Sequence, residues 1–122
     1  MANITNVQPP TALEVSTNVW VLSVTYTATF SEFEVANNHF EDSIQLVEHE
    51  LAGEQQIIDD WRNDEYFNPA STSVVRTKTI AIRESILNTE LGNEEISFNI
   101  RLRNLNLNTR RLAGSPVLVI GV

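Results

Sequence analysis

The chain contains no cysteine among its 122 residues, which excludes disulfide bonds, thiolate metal sites and cysteine nucleophiles. Its four glycines stand singly, so no glycine-rich phosphate loop exists. The longest apolar run, Val117 to Ile120, is far shorter than the roughly 20 residues that a membrane-spanning helix requires. Residues 1–7 show neither the basic nor the apolar region of a signal peptide. We therefore expect one cytoplasmic domain over residues 1–122, without a membrane partner.

Acidic residues are concentrated in one part of the chain. Residues 31–66 hold eleven of the sixteen carboxylates and one basic side chain, Arg62. The net charge of this segment is therefore 1 − 11 = −10, whereas that of the whole chain is −8. Residues 67–122 hold seven basic and four acidic side chains, a net charge of +3. This separation of charge affects which partners and ions the protein attracts rather than which fold it adopts.

Two segments alternate apolar and polar residues with the two-residue period of a half-buried strand. In residues 19–30 the even positions from Trp20 to Phe30 are apolar, and most odd positions are Ser or Thr. In residues 96–103 the even positions are again apolar, and the Asn-rich residues 104–108 suit a turn. Residues 73–83, the segment after Pro116 and an edge strand at Leu13 and Val15 complete the predicted strands. We expect a core of Trp20, Leu22, Val24, Tyr26, Phe30, Ile44, Ile80, Ile82, Ile96, Phe98, Ile100, Leu102, Leu118 and Ile120.

The acidic segment is ambiguous. Residues 39–51 fit either a short helix, with Asn38 and Glu41 as its capping box, or a strand, which the neighbouring strands favour slightly. Residues 53–72 are interpreted as mostly loop that begins after Gly53, and residues 87–93 as a connection between sheets.

Short strands about ten residues apart, without alternating long helices, predict an all-β fold, an antiparallel sandwich of about seven strands with one short helix or acidic loop inserted. Pro9-Pro10 precedes a short first strand, Trp20 lies in a long second one, and Glu90-Leu91-Gly92 stands before the strand that contains Phe98. In these features the layout resembles an immunoglobulin-like or fibronectin-type sandwich, although the cysteine pair of the former is absent. The resemblance is one of architecture and implies no activity.

The acid-rich residues 59–65 are the candidate metal site. Hard cations such as calcium prefer six to eight oxygen ligands on a flexible loop, although the spacing is not that of an EF-hand. Calcium is therefore the one cofactor that the sequence leaves open, and a solvated acidic loop anchored by Trp61 is the alternative. His39 and His49 are expected at the surface, since no further ligands converge on them. The candidate ligands are Asp59, Asp60, Asn63, Asp64 and Glu65.

A basic face is the candidate interface. The chain has seven arginines and one lysine, and arginine is enriched at protein interfaces where lysine is depleted. If the strands that carry them are neighbours, the basic residues of segment 76–111 line one surface; alternatively, they pair with the acidic segment within the same molecule. The candidate interface residues are Arg76, Lys78, Arg101, Arg103, Arg110 and Arg111.

These patterns favour a non-catalytic protein-interaction or self-assembly module with complementary acidic (31–66) and arginine-lined (76–111) surfaces. A calcium- or small-ligand-binding sandwich that uses residues 59–65 is the alternative. No nucleophile motif stands out, so we expect no enzyme activity. The charge of −8 and the absence of aromatic residues between Arg101 and Arg111 disfavour nucleic acid as a partner. The expected partner is a protein, which includes a second copy of the chain.

Overall fold

The computed structural model describes residues 1–49, 55–87 and 93–121, and within them the chain forms nine β-strands and two short helices. The predicted stop at Gly53 and most of the predicted 87–93 connection, with Glu90-Leu91-Gly92, lie outside the described residues. The helices are α1 (Glu32–Asn37) and α2 (Glu84–Leu87). The strands are β1 (Asn3–Thr5), β2 (Thr11–Ser16), β3 (Val19–Thr29), β4 (Phe40–His49), β5 (Gln55–Phe67), β6 (Ser73–Arg83), β7 (Asn93–Asn104), β8 (Thr109–Gly114) and β9 (Leu118–Gly121).

The strands form two antiparallel sheets. In the four-stranded sheet, β3 pairs with β6 along its whole length, so β1 and β2 share its other edge. The five-stranded sheet has the order β5-β4-β7-β8, and β9 continues the edge of β7 beyond β8. The prediction of an all-β antiparallel fold is confirmed. No described helix is long and apolar enough to cross a bilayer.

Side chains from both sheets share one hydrophobic core, which fits the predicted sandwich. The alternating positions of β3, β6 and β7 point into this core, as their two-residue period predicts. Of the predicted core residues, Trp20 and Leu118 are only partly buried, and the other twelve are buried. Sequence reasoning missed buried apolar residues in β4 and elsewhere, namely Ala2, Ala28, Phe40, Leu46, Val47 and Leu87.

Residues 40–49 form strand β4, the interpretation that the sequence slightly favoured. The capping box predicted at Asn38 and Glu41 is wrong, because the helix lies earlier, at α1. There the Ser31 side chain accepts a hydrogen bond from the Glu34 backbone N–H, while the Glu34 carboxylate accepts one from the Ser31 N–H. Helix α1 thereby carries the chain from β3 in one sheet to β4 in the other.

The prediction that residues 53–72 are mostly loop is wrong, because β5 is the longest strand of the described chain. It pairs with β4, and the register shifts three times between Asp42 and Val47. Asn63 has a φ of 58°, a left-handed conformation that asparagine tolerates better than most residues. These irregularities interrupt the side-chain alternation that would have marked β5 as a strand.

Candidate interaction surface

The outward side of the five-stranded sheet carries an unusual set of large polar and aromatic side chains. Paired residues of antiparallel strands share a face, so the register defines most of this surface, and the contact with Arg101 places Trp61 on it. We call it the Trp61 face. It comprises Asp60, Trp61, Asp64 and Tyr66 on β5, Glu41, Ser43 and Gln45 on β4, Asn99, Arg101 and Arg103 on β7, and Arg110, Leu112 and Gly114 on β8.

Trp61 and Arg101 form the centre of the Trp61 face. The Arg101 guanidinium carbon lies 4.6 Å from the centroid of the Trp61 ring, a cation–π contact that spans β4. Gln45 lies beneath them and donates to Asp60 Oδ1 at 2.9 Å, while its Oε1 accepts from Asn99 Nδ2 at 2.9 Å. This amide bridge fixes the floor of the face.

A shallow groove of about 330 Å³ lies beside this centre. Trp61 and Leu112 stand on its two sides, and Gln45 and Asn99 supply polar groups. Leu112, on the edge strand β8, is 56% exposed. The groove therefore offers apolar walls and an amide floor to a side chain of another molecule.

Tyr66, Glu41 and Arg103 form a second cross-strand row. Arg103 Nη2 lies 3.0 Å from Glu41 Oε1. The hydrogen bond and the negative charge of Glu41 raise the pKa of Tyr66, so its hydroxyl donates to that carboxylate. Tyr66 nevertheless remains 72% exposed. A rigid aromatic ring is thus held at the surface by its polar end.

Beneath the guanidinium groups of the Trp61 face lie buried polar atoms that have no hydrogen-bond partner. Among the described residues, three buried side-chain polar atoms lack a hydrogen-bond partner: Ser43 Oγ, Arg101 Nε and Arg103 Nε. Ser43 pairs with Arg101 across β4 and β7, and Arg103 lies one row away on the same face. Such atoms are uncommon in native structures, and here all three lie within the Trp61 face.

The structure separates the six predicted interface residues. Arg101, Arg103 and Arg110 lie together on the Trp61 face, but Arg76 and Lys78 belong to β6 in the other sheet. The prediction that they share one surface is therefore wrong, because β6 and β7 are not neighbours. Arg111 is paired with Leu102, on the opposite side of β8 from Arg110, and its Nε donates to the Ala2 carbonyl at 3.3 Å.

Arg76 and Lys78 instead form a charge cluster between the sheets, centred on Asp42 of β4. Asp42 is fully buried and accepts hydrogen bonds from Tyr26 Oη at 2.6 Å, Lys78 Nζ at 2.8 Å, and Arg76 Nε and Nη2 at 2.9 and 3.1 Å. Lys78 is also fully buried, and its Nζ lies 2.5 Å from Glu65 Oε1. Pairing within the molecule, the alternative that the sequence left open, accounts for these two cations.

The cluster gives the protein an acid-sensitive element. Burial alone would raise the pKa of Asp42, but hydrogen bonds from Arg76, Lys78 and Tyr26 outweigh it and lower that pKa. Because the folded-state pKa lies below the unfolded value of about 3.9, the contribution to stability is complete above that pH and is lost as pH falls through the folded value. We expect Asp42→Asn to flatten the dependence of unfolding free energy on pH below about 4, measured by urea denaturation. Equal slopes for variant and wild type would contradict this assignment.

The five candidate metal ligands do not lie on a loop. Residues 59–65 belong to β5, and four of the candidate side chains have separate partners. Asp59 binds Arg62 at 2.6 Å, Asn63 Nδ2 donates to the Thr79 carbonyl, and Glu65 meets Lys78. Asp60 accepts from Gln45 and from the Trp61 N–H, and Asp64 is exposed. Over residues 1–49, 55–87 and 93–121, no three His, Asp or Glu side chains gather in a metal-binding arrangement. Calcium binding stays a prediction.

The histidines lie apart from each other in the fold. His49 Nε2 is 2.7 Å from Ser97 Oγ, at the far end of the Trp61 face, while exposed His39 contacts the Asn68 side chain. His39 also lines a groove of about 430 Å³ with Tyr66 and Leu105. A third groove, of about 640 Å³, lies between residues 17–19 and 83–85. The prediction that the protein is not an enzyme is untested by these features.

The outward side of the four-stranded sheet has a different chemistry. There Ser23 Oγ pairs with Thr79 Oγ1 and Thr25 Oγ1 with Thr77 Oγ1, each at 2.9 Å. These hydroxyls satisfy one another across β3 and β6, as cross-strand threonines commonly do. The two outer surfaces of the molecule thus differ, and large aromatic and guanidinium groups are concentrated on one.

Comparison with known proteins identifies no family. No family model matches the chain, and no curated protein matches it. Among solved structures, the X-ray structure of the Northeast Structural Genomics Consortium target SoR45 aligns with a TM-score of 0.46 and 8% identity, over 99% of this chain and 86% of the other. The putative ApaA protein from Bordetella pertussis aligns with a TM-score of 0.44 and 8% identity, over 100% and 92% of the two chains. Likenesses this distant carry no functional argument.

Proposed function

We propose that the chain is a non-catalytic protein-interaction module and that the Trp61 face is its binding surface. The observation that carries this proposal is the concentration of Trp61, Tyr66 and three arginines on one sheet face, around a groove beside exposed Leu112. Tryptophan, tyrosine and arginine are the residues that most often dominate the energetics of protein interfaces.

The rigidity of the face supports this role. Trp61 is held against Arg101, and Tyr66 is held by Glu41, so neither ring loses much conformational freedom when a partner covers it. Side chains fixed in this way on paired strands provide a more precise binding surface than loop residues.

The charges fit a protein partner better than a polyanion. The Trp61 face mixes Arg101, Arg103 and Arg110 with Glu41 and Asp60, whereas a nucleic-acid surface would be uniformly basic. The net charge of −8 adds long-range repulsion toward phosphate backbones. A protein partner, without nucleic acid or membrane and in the cytoplasm, is therefore part of the proposal.

We also propose the immunoglobulin- and fibronectin-type arrangement for the sandwich. The strand orders β2-β3-β6 in one sheet and β5-β4-β7-β8 in the other support it. They match the order of such domains if β4 corresponds to their third strand and β5 is a strand added beside it. In this arrangement the Trp61 face is the outer side of the larger sheet.

Site-specific photo-crosslinking tests the proposed function. A photoreactive amino acid at position 112, beside the groove of the Trp61 face, is expected to give a defined protein adduct in the native host cells. The matched control carries the same amino acid at position 77, on the threonine-rich face, and is expected to give none. Absence of an adduct from position 112, or equal adducts from both positions, would contradict the proposal.

A further inference from the structure

We propose that the partner of the Trp61 face is a second copy of the chain, packed face to face about a two-fold axis that runs parallel to the strands between β4 and β7. This inference rests on the proposed function and names its partner. The argument comes from the distribution of charge and apolar groups across the face.

The Trp61 face is divided by charge. Strands β5 and β4 carry the carboxylates Glu41, Asp60 and Asp64, and strands β7 and β8 carry the arginines. The guanidinium groups of Arg101 and Arg103 reach over the boundary to Trp61 and Glu41, and Arg110 lies on the edge strand β8. The boundary between the halves runs between β4 and β7. The carboxylate of Glu95, farther along the outward side of β7, is the exception, and His49 lies at the corresponding end of β4.

A two-fold axis along this boundary places each half of one copy against the opposite half of the other. Rotation about the axis exchanges β5 with β8 and β4 with β7, while every residue keeps its height along the strands. The acidic half then meets the basic half twice, in a closed isologous contact. An axis in the plane of the contact but perpendicular to the strands would instead place the acidic half of one copy against the acidic half of the other.

The same rotation aligns the individual rows. In the upper row Tyr66 faces Arg110 of the second copy and Glu41 faces its Arg103. Two rows farther on, Trp61 lies opposite Gln45 and faces Gly114 of the second copy, diagonally across from its Leu112 beside the groove. Ser43, whose buried hydroxyl lacks a partner, faces Arg101. Complementarity in successive rows follows from the cross-strand register of a single sheet.

The size of the face suits a reversible dimer. Strand β4 has ten residues, so the face measures roughly 33 by 19 Å, about 600 Å² in plan, from ordinary strand dimensions. Side-chain relief adds to this area, which approaches the roughly 800 Å² per partner of a standard interface. Twisted sheets pack at about −30°, which keeps the rows near the axis in register.

Sedimentation equilibrium of the full chain tests the association. We expect dimerisation in the micromolar range, weakened by high salt. Arg110→Glu is expected to raise the dimer Kd by about ten-fold or more, because the symmetry introduces the repulsion twice. Arg83→Glu makes the same charge change on the four-stranded sheet and should leave the Kd unchanged. A monomer at every concentration, or equal effects of the two variants, would overturn the inference.

Crosslinking between single cysteines tests the geometry, since the natural chain has none. The two-fold axis places Asp60 opposite Gly114, and a Cβ at Gly114 meets only Asn99 Oδ1, at 3.8 Å. We expect a short bismaleimide to link Asp60→Cys chains to Gly114→Cys chains in a mixture, and neither variant to itself. Links within each separate variant, or none in the mixture, would exclude this axis.

The results separate this inference from the proposed function. If photo-crosslinking at position 112 captures a different protein while the purified chain stays monomeric, the second copy is the wrong partner and the binding role of the face stands. If position 112 gives no adduct and the chain stays monomeric, both proposals fail.

Discussion

Replacing Asp42 with alanine is expected to lower the free energy of unfolding by about 3–5 kcal/mol, the range found when one partner of a buried ion pair is removed. The variant leaves the fully buried Lys78 with Glu65 alone, and Arg76 and Tyr26 lose their shared acceptor. Urea denaturation near neutral pH measures the change. Asp64→Ala, an exposed acid on neighbouring β5, is the matched control and should stay within about 0.5 kcal/mol.

A second variant separates the buried charge from general damage to the core. In Asp42→Ala with Lys78→Met, the stranded ammonium group is gone, so part of the lost stability should return. If Asp42→Ala alone costs no more than the Asp64→Ala control, the cluster is not the stabilising centre described here.

Replacing Phe40 with alanine is expected to cost about 3–5 kcal/mol, because a fully buried ring is removed and leaves a cavity. The Phe40 ring centroid lies 4.6 Å from that of Phe30 and 6.2 Å from that of Phe67, so two further aromatic side chains lose contacts. Phe33→Ala, at a residue 64% exposed on α1, is the control and should have little effect. Similar losses for the two variants in thermal or urea unfolding would contradict the assigned core.

The sequence predicted those strands in which burial follows strict alternation. In β3 and β7 the apolar positions repeat every second residue, and the hairpin between β7 and β8 falls at the predicted Asn-rich turn. In β6 the same parity that placed Ile80 and Ile82 inward also places Lys78 inward. The sequence alone predicts Lys78 at the surface, because its buried partner, Asp42, lies on a strand of the other sheet.

Strand β5 could not be predicted by the same rule. Its hydrophobic period is broken by register shifts against β4 and by the left-handed Asn63, so its charged residues suggested a loop. The sequence predicted neither β5 nor β8. It therefore placed Arg101 and Arg103 on one side of a strand, but it indicated neither the contact of Trp61 with Arg101 nor Leu112 on the neighbouring strand. Strand pairing, which depends on contacts far apart in sequence, supplied the rest of the face.

Hydroxyl-radical labelling over a concentration series tests most directly whether the Trp61 face is covered on association. The chain has two tryptophans and two tyrosines, so partly buried Trp20 and buried Tyr26 provide internal references for Trp61 and Tyr66. The labelling of Tyr66 and Trp61 should fall as the protein is concentrated, while that of Trp20 stays constant. Constant labelling of Tyr66 across the range, or an equal fall at Trp20, would contradict the account.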